Sequence, residues 1–340
     1  LGVPESYFDL DNENRRQLLL TAAGQLGRDP ALLEKDIWVV WLLRWLYASP
    51  WREHLVFKGG TSLSKVFGLI DRFSEDIDLT YDIRELLPDL ADQGADPLPV
   101  SRAQADRWSR QARDALAQWV EQQVQPALAE ATQAVGAGVR CAADVLFVTY
   151  PATFAHDGLY MSPEIKLEFG GRATGAPTQL AAVICDAAAV PALAALLPHA
   201  PQVQVMQAAR TFWEKATAAH VYCLQQVLPA ERFARHWFDL ACMERGGIVA
   251  SALADTHLAA TVAAHKQMFF RAKADDTSVI DYHQAVTGHL QLVPDAAAAA
   301  RLHMDYDAMR SGGFLGSWQP SFDEVLAICA RIEEQANAAP

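Results

Sequence analysis

A mixed α/β (α+β) core followed by a C-terminal helical domain is the fold class the sequence predicts. Two observations predict it. Strand-like segments bounded by Gly, Pro and Asp cluster before residue 200, and helical periodicity dominates from Val203 onward. A chain of 340 residues has room for two modest domains, placed here at 1–202 and 203–340. With 51% hydrophobic and 20% charged residues the composition is that of an ordinary globular protein, not a disordered one.

The elements follow in order. Residues 12–26 read as a helix stopped by Gly27. A second helix spans 30–48, opened by Pro30, with Leu33, Ile37, Val40 and Leu43 at helical spacing. Leu55 to Lys58 is a short strand, broken by Gly59-Gly60, and Thr61 to Phe67 a short helix. Ile77 to Tyr81 alternates as a strand should, and residues 88–100, rich in Pro, Gly and Asp, read as a loop. Ser101 to Ala134 is a long helical stretch that Pro126 is expected to interrupt. Val139 to Tyr150 and Met161 to Phe169 read as strands joined by a turn around Ala155 to Gly158. Between 172 and 201 one strand, Ala181 to Cys185, lies among irregular connections. Thr211 followed by Glu214 in TFWEK suggests a capping box, hence a helix near 211–227, and further helices are expected near 231–244, 248–268, 296–311 and 321–336.

Several classes are disfavoured. No apolar run approaches the ~18 residues a membrane span needs; Ile37 to Tyr47 is short and carries Arg44. The first residues lack a signal-peptide pattern, and the chain opens on Leu1 rather than Met, which leaves room for residues upstream. Five scattered cysteines with no CxxC pair argue against a disulfide framework or structural zinc and fit a reducing cytoplasm. A net charge of −13 argues against nonspecific coating of nucleic acid, so a nucleic-acid end as substrate would need a local basic patch.

The chemistry concentrates in FKGGTSLSKVFGLIDRFSEDIDLTYD, residues 57–82. Glycines after a strand let backbone N–H groups approach phosphate oxygens, and a following helix presents free N–H groups to the same anion. Gly59, Gly60, Thr61 and Ser62 form that turn, and Ser62 and Ser74 add hydroxyl donors. Asp76 and Asp78 alternate along a strand, so their carboxylates share a face and can hold two Mg²⁺ ions about 3.5–4 Å apart. A lone DxD is common in solvated turns; the upstream strand–Gly-Gly–helix is what gives this one weight. Glu168, alternating with Ile165, Leu167 and Phe169, is a candidate third carboxylate, with an exposed strand face as the bland alternative. Lys65 and Arg172 are candidate phosphate contacts, with surface roles equally open. Asp239 lies among Trp237, Phe238 and Leu240, where a buried acid needs a partner such as Lys215 or an arginine. Phe212, Trp213, Trp237 and Phe238 read as core.

Residues 57–79 resemble the polymerase-β-type nucleotidyltransferase signature. More narrowly, FKGGTSLSK and RFSEDIDL are similar to the AbiEii/AbiGii toxin family of type IV toxin–antitoxin systems. EKDIWVVWLL, TFWEK, RHWFDL, LVPD and MDYDAM resemble further motifs of that family, so the likeness covers most of the chain. The resemblance implies a nucleotidyltransferase-type mixed sheet and transfer of a nucleoside monophosphate from an NTP. Magnesium is the implied cofactor, two ions, with Mn²⁺ as substitute. Related toxins add pyrimidine nucleotides to the 3′ end of tRNA and so block translation; others bind GTP. By motif, Ser74 and Asp76 match the active-site SxD pair, Lys215 a phosphate-contacting lysine and Asp239 an essential acid, while Glu168 as metal ligand follows the superfamily pattern. A cognate antitoxin encoded nearby, acting without a stable complex, is the implied partner, with no membrane. A small-molecule or protein hydroxyl as acceptor, and a non-catalytic NTP sensor, are the alternatives.

Overall fold

The computed structural model describes residues 6–70, 72–74, 76–94, 96–154, 162–225 and 233–338. The expected turn at Ala155–Gly158 lies outside them. The chain divides into two compact units. The first holds Leu1–Val66, Ser74–Pro97 and Arg110–Met206; the second holds Phe67–Phe73, Leu98–Ser109 and Gln207–Pro340. The 202/203 boundary read from the sequence falls inside a strand, His199–Met206.

The first unit is built on a mixed sheet. Its strands are β1 (Leu55–Lys58), β2 (Ile77–Tyr81), β3 (Gly138–Ala142), β4 (Val145–Thr149), β5 (Glu164–Gly170), β6 (Thr178–Ile184) and β7 (His199–Met206). Among the described residues their order is β3-β4-β5-β2-β1-β7-β6. β1 pairs antiparallel with β2 and parallel with β7, and β2 pairs parallel with β5. The helices of this region are α1 (Asn12–Leu26), α2 (Pro30–Ala48), α3 (Gly59–Lys65), α4 (Ile83–Leu86), α6 (Gln125–Gln133) and, from Arg110 on, α5 (Arg102–Trp119).

Helix α2 shows why these residues fold as they do. Asp29 caps it by accepting from Ala31 N at 2.8 Å, and Pro30 occupies the first turn, where its missing N–H costs nothing. Leu33, Ile37, Val40 and Leu43 are all buried, and the helix packs on β5, β6 and β7. Glu34, Lys35 and Asp36 are buried too, and each finds a partner. Glu34 accepts from Thr153 N at 2.9 Å, Lys35 Nζ donates to Ser162 O at 3.1 Å, and Asp36 accepts from Asp186 N at 2.6 Å.

The sheet has two unlike faces. Leu55, Phe57, Ile77, Leu79, Tyr81, Leu167 and Phe169 are buried, and by strand alternation they share one side. Trp119 closes over them, stacked on Tyr81 at 4.1 Å and edge-on to Phe169 at 5.5 Å. The opposite side carries Lys58, Asp78, Lys166 and Glu168.

Three expectations for residues before 207 need correction. Residues 139–150 are not one strand but the β3–β4 hairpin, turning at Ala143, whose φ of 56° is unusual for a residue with a Cβ. Strand β7 starts at the end of the region read as irregular and runs on past Val203, into the stretch expected to be helical. Pro201 survives there because it lies at a bulge, between the register pairs Ala181↔Val203 and Val183↔Ala200, where no ladder N–H is required. Pro126 does not end its helix. The turn before it, Val120–Val124, widens to π geometry and the chain continues through α6.

The second unit is helical: α7 (Ala208–Cys223), α8 (Ala234–Arg245), α9 (Ile248–Ala254), α10 (Thr256–Phe269), α11 (Ala296–Ser311) and α12 (Phe322–Ala338). The expected 248–268 helix is two, because Asp255 leaves helical geometry and caps α10 by accepting from Leu258 N at 2.9 Å. Helix α7 starts at Ala208, ahead of Thr211, so TFWEK is not a capping box; Thr211 Oγ1 bonds back to Gln207 O at 3.5 Å. The aromatics are core: Trp213 Nε1 donates to Ala252 O at 3.0 Å, and Trp237 Nε1 to Leu292 O at 2.7 Å. Two family-like motifs supply caps. Asp305 of MDYDAM accepts from Ala234 N at 2.7 Å, and Asp295 of LVPD from Ala298 N at 2.7 Å.

Candidate functional site

β1 ends at Lys58 and the chain turns directly into α3 through Gly59, at φ +78°. That value needs glycine, and so does the space. A Cβ built on Gly59 would lie 2.8 Å from Asp78 Cγ and closer still to Oδ2. The backbone of the glycine turn therefore lies directly against the Asp78 carboxylate, because Lys58 and Asp78 are paired in the β1–β2 register.

Buried side chains fix this turn from inside. Thr61 Oγ1 donates to the Asp76 carbonyl and lies 2.9 Å from Ser74 Oγ. Ser62, fully buried, donates to Gly59 O at 2.9 Å. The GGTS sequence thus ties α3 to the strand entry at Ser74 and Asp76. Ser74, Asp76 and Asp78 are half-buried, and Gly60, Thr61 and Ser62 are buried. Thr61 and Ser62 act here through the hydrogen bonds that shape the loop.

On the neighbouring strand Glu168 is the register partner of Asp78, on the same face. Its carboxylate is taken up by Lys166 Nζ in an ion pair. Burial lowers the Lys166 ammonium, but Glu168, Asp76 and Asp78 together outweigh burial and raise it above its ordinary value. Sequence reasoning missed Lys166, although it stands in EIKLEF two residues from Glu168.

Two other expected phosphate contacts lie elsewhere. Lys65 Nζ is 7% exposed and bridges Asp36 Oδ1 at 2.5 Å and Asp186 Oδ1 at 2.6 Å; Arg28 also pairs with Asp186. Burial opposes its charge, yet the two carboxylates hold the ammonium up, so Lys65 is engaged in a structural ion cluster. Lys65→Met should therefore lower stability by about 3 kcal/mol and leave the KM for NTP unchanged. Thermal melts and rates at varied NTP check this; a raised KM with an unmoved Tm would return Lys65 to the phosphate. Arg172 follows the end of β5, past the level of Tyr81, where burial and then Arg113 push its guanidinium down and Asp144 opposes them.

In the second unit Asp239 is fully buried and receives two cations. Arg72 Nε and Nη2 donate to Oδ1 and Oδ2 at 2.7 and 2.8 Å, and Lys215 Nζ to Oδ2 at 2.8 Å. Burial alone would raise this carboxyl, but Arg72 and then Lys215 outweigh it and hold it well below the usual range. Arg72 is the arginine the sequence left unnamed; a second bridge, Arg72↔Leu315, fixes its backbone. Lys215 lies about two turns into α7.

The donor chemistry of the first-unit pocket suits magnesium. Mg²⁺ is characteristically bound by one or two carboxylates together with substrate phosphates, and Asp76 and Asp78 offer hard oxygen ligands beside a turn with no Cβ to exclude a phosphate. Among the described residues, no group of three or more His, Cys, Asp or Glu gathers at metal-binding spacing.

The Asp78 carboxylate packs against the glycine turn, with Asp76 two residues before it in the sequence. The family model described as nucleotidyl transferase AbiEii toxin, type IV toxin–antitoxin system, matches residues 41–328, and the chain belongs to that family. Nucleotidyl transfer, a toxin role, use of an NTP and an antitoxin counterpart come with that membership. Among solved structures, MenT4, a nucleotidyltransferase toxin from Mycobacterium tuberculosis H37Rv, is similar at 19% identity, covering 94% of this chain and 98% of that chain with a TM-score of 0.40. No curated protein matches significantly. No helix of the described residues is long and apolar enough to cross a membrane.

Proposed function

We propose that this toxin transfers a nucleoside monophosphate from an NTP to the 3′ hydroxyl of an RNA, tRNA foremost, and so stops translation until its antitoxin intervenes. The observation that carries this reading is the apposition of Gly59 and Asp78, which brings a turn able to admit a phosphate against the Asp78 carboxylate. In this reading the Gly59–Gly60 backbone cradles the triphosphate, Ser74 orients it, and Asp76 and Asp78 face the reacting phosphorus. The RNA hydroxyl attacks the α-phosphorus in line and pyrophosphate leaves. Magnesium held by Asp76, Asp78 and phosphate oxygens would supply the charge neutralisation this requires, with Mn²⁺ as substitute. Glu168 is the proposed third ligand once it leaves Lys166.

In the second unit, Asp239 holds one negative charge between two cations, Arg72 and Lys215. We assign Asp239 to positioning the Lys215 ammonium, and Lys215 to an anion contact.

Incubation of the protein with each α-labelled NTP, Mg²⁺ and total tRNA should place label at RNA 3′ ends. Label on a protein or a small cationic acceptor instead would change the acceptor while keeping the enzyme. Absence of label on every acceptor with folded protein would leave an NTP-binding sensor and overturn the transfer reading.

A further inference from the structure

We propose that Lys166 is the built-in counter-ion of the acidic pocket, the charge that a divalent metal must displace from Asp76, Asp78 and Glu168. This deepens the site reading above and rests on it.

The geometry is that of neighbouring strands. Register pairs Ile77↔Leu167 and Asp78↔Glu168 run parallel, so one step back along the same face brings Lys166 level with Asp76. Aligned residues on adjacent strands are about 5 Å apart. Lys166 and Glu168 therefore flank the same patch of sheet as Asp76 and Asp78, and Lys166 Nζ is already bonded to Glu168. The opposing cation on the other side, Lys58, is paired in register with Asp78, but its Nζ reaches over Gly170, 3.9 Å from where a Cβ would be. Gly170 pairs with Thr80, two residues further along β2. Lys166 is thus bonded to Glu168 and level with Asp76, on the face that also carries Asp78.

Two consequences follow. Three carboxylates on one face repel one another, and Lys166 lets the pocket fold without metal. The same ammonium also opposes metal entry. A bare divalent ion meets a pocket that is already partly neutralised, whereas an ion carried by a triphosphate arrives with its own negative charge. Loading then depends on nucleotide.

The test is Mn²⁺ binding to the full chain without nucleotide, followed by paramagnetic resonance of free Mn²⁺, alongside thermal melts in EDTA. Lys166→Met should tighten Mn²⁺ binding about tenfold, the effect of one charge roughly 6 Å from a divalent ion at the dielectric of water. Lys166→Arg, which keeps the charge, should stay within about threefold of wild type on the same scale. In EDTA, Lys166→Met should lower the Tm, and adding Asp78→Asn should recover part of the loss. Measurable wild-type binding that Lys166→Met leaves unchanged or weakens overturns this proposal alone. If neither wild type nor Lys166→Met binds Mn²⁺ at all, the metal-site reading fails, and the proposal with it.

Discussion

Replacing Gly59 by alanine is expected to disable nucleotide transfer nearly as severely as replacing Asp78 by alanine, with losses of about a hundredfold or more. Two effects combine. A left-handed φ of +78° costs a residue with a Cβ about 1–2 kcal/mol. The new methyl would also sit 2.8 Å from Asp78 Cγ and 2.9 Å from its Cβ, so the carboxylate or the turn must move. A shift of about 1 Å in a reacting geometry is enough for a hundredfold loss. Gly27→Ala separates the two effects. Gly27 has φ +64°, ends α1 and has nothing within 4 Å of its built Cβ. It should lose about 1 kcal/mol of stability and no transfer activity. Label incorporation and thermal melts of the three variants decide the matter. A Gly59→Ala protein that keeps more than roughly a tenth of wild-type transfer would show that Asp78 tolerates displacement, against the expectation.

What was legible in the sequence was what local chemistry specifies. The Gly59-Gly60 break, the alternation of Ile77, Leu79 and Tyr81, and Pro30 at a helix start each act over a few residues, and β1, β2 and α2 stand where they were read. Strand β7 was not legible, because Pro201 signals a break unless a bulge opposite Ala182 is known, and that bulge depends on pairing with β6. The roles of charged residues were the least legible. Lys65 resembles a phosphate contact by position, yet its partners Asp36 and Asp186 come from distant parts of the chain. Lys166 gains its role only when β5 is laid beside β2, and Arg72 only when it meets Asp239, 167 residues away. Asp239 shows the reverse: its apolar neighbours said that it needed a cation, though not that it would have two.

Asp239→Asn is expected to destabilise the second unit by about 3–5 kcal/mol, the cost of stranding buried charge, or a fall of roughly 10 °C in its Tm. Arg72 is 6% exposed at its side chain and Lys215 12%, so neither guanidinium nor ammonium can recover much hydration when the carboxylate is lost. An amide of the same shape also turns an N–H donor toward these donors. The pH dependence gives the sign. The folded carboxyl is held below its unfolded value, so its contribution is complete above the unfolded pKa of about 3.9 and fades as pH falls through the folded value. The gap between wild type and Asp239→Asn should therefore be constant from about pH 8 to pH 5 and begin to close below about pH 4. Burial, then Lys215 and Arg235, push the neighbouring His236 imidazole well below its ordinary value, and Asp239 opposes them. Lys215→Met in the Asp239→Asn background should restore part of the lost stability, since it removes the ammonium left beside the amide, while leaving the protein without its assigned anion contact. Denaturant melts from pH 3 to pH 8 test this directly. A gap that widens on acidification would mean that Asp239 is protonated in the native protein, and the two-cation clamp would not be what holds α7, α8 and Arg72 together.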